Sequence, residues 1–158
     1  MDSDRLNKWL TLGANVGVLI GIMLLIAELS QNYEIVRAQT RTELSQSLLD
    51  LLALMASNKE LAEIIVKASR GEEITDAEMH MLGARNESVI AYWQNVHYQG
   101  RNGMYDEDEF SKHIQFMRSV LNASPNLVRY WCENRDNYPE VFADELDRLI
   151  PADSCDSR

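Results

Sequence analysis

Residues 9–27 read WLTLGANVGVLIGIMLLIA, nineteen in a row without a charge. As a helix rising about 1.5 Å per residue, the run nearly matches a hydrocarbon core of roughly 30 Å. A cleaved signal peptide has a shorter apolar stretch, about 7–15 residues, ending at a small-x-small site. AELSQN, which follows here, offers no such site. The expectation is an uncleaved transmembrane helix over 9–27 behind a short flank, 1–8, making contact with the lipid bilayer. Trp9 and Tyr33 fall near its two ends, where amphipathic rings suit the membrane interfaces.

The span has two chemically different sides. Gly13, Gly17 and Gly21 recur every four residues, a spacing that lets helix backbones approach closely in lipid. Asn15 lies about 200° around the helix from Gly13, and Thr11 about 40° from Asn15. An amide in hydrocarbon is costly without a partner. The pattern therefore predicts a homo-oligomer larger than a dimer, each helix touching neighbours through both faces.

Arg5 and Lys8 balance Asp2 and Asp4, so the formal charge of −10 belongs wholly to the residues after the span. An acidic domain repels phosphates, and the basic footprint of a nucleic-acid binder is missing. Arg5 and Lys8 on one side face Arg37 and Arg41 on the other, which leaves membrane orientation close to a tie with a slight lean toward a cytoplasmic N-terminus. Cys132 and Cys155, the two cysteines, suggest neither a disulfide framework nor a paired-cysteine metal site.

Beyond the span the chain reads as all-α. No Pro or Gly occurs between Met23 and Arg70, so the membrane helix is expected to continue as a stalk. Leu29, Tyr33, Val36, Thr40, Leu44, Ser47, Leu51 and Leu54 stay within about 60° of one line, predicting one buried stripe. Asn58 or Ser57 starts a second helix and Gly71 stops it. Thr75 and Glu78 form a capping box for a third, with Met79, Leu82, Val89, Ile90, Trp93 and Val96 on its apolar side. Asp106 caps a fourth, carrying Phe110, Ile114, Met117 and Leu121, and Pro125 and Pro139 mark two further starts. The plan is a helical soluble domain over 28–150, in which the stalk packs with about four or five shorter helices, and a disordered tail over 151–158.

Signs of chemistry are sparse. Asn86 and His97 project from the apolar side of the third helix, near Trp93, and a buried polar group needs a partner. These three residues are the candidate ligand site, against the reading that they are satisfied core. His80, His97 and His113 lack metal-ligand spacing, and the acids from Asp106 to Glu109 lack the alternation and turn glycine of a calcium loop. No metal, cofactor or catalytic residue is expected.

The segment LIAELSQNYEIVRAQT after an apolar helix, with the later WQNVHYQG before an acidic helix start, resembles a group of uncharacterised bacterial single-pass membrane proteins. The resemblance implies a bacterial source, an inner-membrane location and the anchor-plus-helices plan, and brings no activity with it. The functional expectation is a non-enzymatic, membrane-anchored interaction module that self-associates or takes a protein partner. A small homo-oligomeric pore is the first alternative, and a tethered ligand sensor or enzyme the second.

Overall fold

The computed structural model describes residues 3–151, 154 and 155. Among them are six α-helices and no strand: α1 Ser3–Ser57, α2 Lys59–Ser69, α3 Asp76–Arg101, α4 Glu107–Ala123, α5 Pro125–Asn134 and α6 Glu140–Asp147. A 3₁₀ turn, Arg135–Asn137, precedes α6. The all-α class and the long first helix agree with the sequence reading. The chain divides into two compact units, Met1–Gln39 and Thr40–Arg158.

The described part of the first unit is entirely helical, and its side chains are exposed apart from half-buried Arg37. Thr11 turns its hydroxyl back onto the Asn7 carbonyl at 2.9 Å, the i−4 bond open to a threonine within a helix.

In the second unit, capping chemistry sets the helix starts. Asn58 Oδ1 accepts from the Leu61 N–H at 3.0 Å. Thr75 and Glu78 close their reciprocal box, the Glu78 carboxylate accepting the Thr75 N–H at 2.7 Å and the Thr75 hydroxyl accepting the Glu78 N–H at 3.3 Å. Lys67 reaches Glu78 from α2 at 2.7 Å. That bond first, then those with Thr75, draws the Glu78 carboxyl down to about 2. Asp106 Oδ1 accepts from the Asp108 N–H at 3.1 Å. Gly71 and Gly103 close α2 and α3 at φ +70° and +72°, which a side chain would strain.

α3 is the central element, packing against α2, α4, α5 and α6. It supplies Val89, Ile90, Tyr92, Trp93 and Val96 to a core completed by Met117 and Leu121 of α4, Leu127, Val128 and Trp131 of α5, and Phe142, Ala143 and Leu146 of α6. At Gly100 a Cβ would run into the Phe110 ring, so the glycine sets how closely α3 and α4 approach.

Three expectations are corrected. The predicted stripe along α1 is buried at Leu44 alone, with Leu51 and Thr40 half-buried, while Leu29, Tyr33, Val36, Ser47 and Leu54 are exposed. Helical spacing identifies a face, but not whether another element covers it. Met79, assigned to the apolar side of α3, is 55% exposed because it sits in the helix's first turn, ahead of the buried residues that begin at Leu82. Cys132 of α5 and Cys155 form a disulfide and rest half-buried against the core. Sequence spacing misses the pair because a separation of 23 positions says nothing about distance in space. Of the tail expected to be disordered, Pro151, Ser154 and Cys155 are described and the other positions lie outside the described residues.

Candidate functional site

On the first helix, a Cβ built on Gly13, Gly17 or Gly21 meets nothing within 4 Å, so no described residue packs on this side. Thr11 spends its hydroxyl proton on Asn7, whereas no described residue hydrogen-bonds the Asn15 side chain. Among the described residues the Asn15 side chain thus lacks an internal partner.

On α3 the structure separates the three candidate ligand-site residues. Asn86 and His97 are buried, at 2% and 7% exposure, but eleven positions apart they stand about 16 Å from each other along the helix. His97 lies among rings, 5.5 Å from Phe142 and 6.4 Å from Phe110 between centroids, and Trp93 is buried in the core. Asn86 instead lines a cleft of about 390 Å³, within the size range of small-molecule sites. The end of α2 and the following turn give one wall, with Ala68, Gly71, Glu72 and Ile74. Met79, Leu82, Gly83 and Asn86 of α3 form the second, and Asn126, Arg129, Tyr130, Glu133 and Asn134 of α5 the third.

The hydrogen bonds in this cleft fix the two inner asparagines. Asn86 Oδ1 accepts from Arg85 Nη1 at 2.9 Å, and Asn126 Oδ1 accepts from the Leu127 N–H at 2.9 Å. A guanidinium and a peptide N–H only donate, so in both residues the oxygen is the occupied end and the NH₂ is left over. Asn126 Nδ2 is buried without a partner. Arg85 Nε is also buried and unpartnered, and burial lowers the guanidinium's pKa. Beside the cleft, Glu87 Oε2 accepts from Tyr130 at 2.6 Å and Tyr138 at 2.7 Å. Burial first and the Glu87 carboxylate second push the Tyr130 phenol up to about 12 and raise Tyr138 as well. These phenols hold their protons at neutral pH and serve as fixed donors. Sequence reasoning found Asn86 but missed Asn126, which directly follows a helix-starting proline and reads there as an ordinary first-turn residue.

Among the described residues no group of His, Cys, Asp and Glu is arranged to hold a metal ion. The imidazoles answer to burial instead. His97 is lowered from 6.5 by burial, against the pull of Glu145. His113, sharing a 3.2 Å hydrogen bond with Tyr105, is lowered by burial against Glu109. Both protonate more readily unfolded than folded, so their share of stability is intact above about pH 6.5 and is lost as pH falls toward their folded values. The melting temperature is therefore expected to drop from pH 7 to about pH 5, and the double variant His97→Gln with His113→Gln to flatten the drop. A wild-type curve flat across that window contradicts the assignment. No family model, curated protein or solved structure matches the chain.

Proposed function

We propose that the protein is a single-pass, membrane-anchored helical interaction module of a bacterial inner membrane, self-associating through residues 9–27. The observation that carries this reading is the apolar stretch of α1, whose best 18-residue window has a mean hydropathy of 2.3 with none of it buried. Such a surface left in water would be a large apolar patch, which soluble proteins rarely expose. Self-association is supported by the glycine side, which no described residue covers, and by the Asn15 amide, which in lipid needs a partner from another helix.

The disulfide bears on the side of the membrane. Structural disulfides persist in oxidising compartments and are rare in the cytosol, so Cys132–Cys155 favours an exported helical domain with Arg5 and Lys8 on the cytoplasmic face. It supports the cytoplasmic-N-terminus side of the near-tie in flanking charge.

Expressed at full length in a bacterial host, the protein is expected to resist alkaline carbonate extraction with its N-terminus intact by mass. Loss of the first thirty or so residues would instead identify a cleaved signal sequence. Crosslinking in native membranes should give a ladder beyond the dimer that Gly17→Leu weakens, and a monomer-only pattern rejects self-association. Asn15 also favours a second reading, a small homo-oligomeric pore: ion conductance in reconstituted bilayers, abolished by Asn15→Leu, would select it over the interaction module.

A further inference from the structure

We infer that the cleft between α2, α3 and α5 binds a small neutral molecule bearing a carbonyl oxygen and a short alkyl body, with the carbonyl taken by the amides of Asn86 and Asn126. The inference is independent of the membrane reading, since every residue it uses lies in the second unit.

Three observations specify the ligand. Both amide oxygens already accept one hydrogen bond, so the wholly unused groups of the two inner asparagines are N–H donors. A complementary ligand must therefore bring acceptors. A buried donor left without a partner, as Asn126 Nδ2 is, is unusual in folded proteins and marks a place where a partner is wanted. Ala68, Ile74, Met79 and Leu82 on the facing walls offer apolar contact to the rest of such a molecule.

Charge then separates a neutral carbonyl from a carboxylate. Glu72 and Glu133 line the cleft with Arg129, and the Arg85 guanidinium beside it is engaged by Asn86 Oδ1, in a chain of formal charge −10. Arg70 lies 3.6 Å from Glu72, whereas Glu133 has no ion pair among the described residues. An anionic ligand would bring further negative charge beside these carboxylates, while an amide or ester carbonyl meets no such repulsion.

The test uses the full-length protein in lipid nanodiscs, with N-hexanoylglycinamide as probe, hexanoate as its anionic counterpart, and empty nanodiscs to subtract partitioning. Side-chain amide resonances of isotope-labelled asparagines provide the readout. Saturable shifts are expected at Asn86 and Asn126, with hexanoate binding several-fold more weakly. Asn126→Asp, which keeps the shape but replaces the free donor with an acceptor, should weaken binding about tenfold or more. Met79→Trp, placed on an exposed position of the rim, should block the cleft without touching the core, which keeps the test decisive if the Asp variant unfolds. Absence of saturable binding, saturation that leaves both amide signals unmoved, a folded Asn126→Asp variant that binds like wild type, or tighter binding of hexanoate would each overturn the inference.

Discussion

Trp131→Ala is expected to lower the unfolding free energy of the helical domain by about 3–5 kcal/mol, the usual cost of removing a fully buried large aromatic. Trp131 is 0% exposed and packs in one cluster with the rings of Tyr138 and Phe142, at 5.2 and 5.8 Å between centroids. Its Nε1–H donates to Asp147 Oδ1 at 2.8 Å, and Asp147 Oδ2 in turn accepts from Arg135 Nε at 2.7 Å. The one side chain therefore fills the core and ties α5 to α6. Thermal melting in mild detergent should fall by about 10 °C or more. Trp131→Phe, which keeps much of the ring contact and loses the hydrogen bond, should fall between the two. A melting temperature within about 2 °C of wild type for the alanine variant would mean that Trp131 is not central to the core.

Loss of the Cys132–Cys155 bridge is the second large effect. Closing a loop with a sequence separation of 23 residues restricts the unfolded chain, and opening it is expected to cost about 3 kcal/mol. Cys155→Ser and chemical reduction of the wild type should produce the same drop in melting temperature, and reductant should have no added effect on the variant. In cells, thiol labelling of the wild type should appear only after reduction. Free thiols in freshly prepared membranes would contradict both the bridge and the exported placement of the domain.

What the sequence revealed about this fold was local. Asn58, Thr75 with Glu78, Asp106 and Gly71 act through hydrogen bonds or dihedral preferences within four or five positions, and each occupies the place its neighbours predict. What it concealed depended on meetings between distant segments. The apolar line through Leu29, Val36 and Leu54 has helical spacing, yet no described element covers those residues. The disulfide joins α5 to the tail, and no spacing rule relates the two. The candidate site was legible by half for the same reason. Asn86 declared itself as an amide on an apolar face, whereas Asn126 becomes interesting only once α5 lies across α3. His97 and Trp93 share that apolar side without sharing the cleft, because the face runs nearly the length of a 26-residue helix.

The central place of α3 has a consequence for how the protein is made. Its partners come from both directions along the chain, α2 before it and α4, α5 and α6 after it. A nascent chain that has emerged only as far as α5 lacks the last wall of its hydrophobic interior and the cysteine that closes it. The native interior is thus completed only once α6 and Cys155 have been made, well after α3 itself.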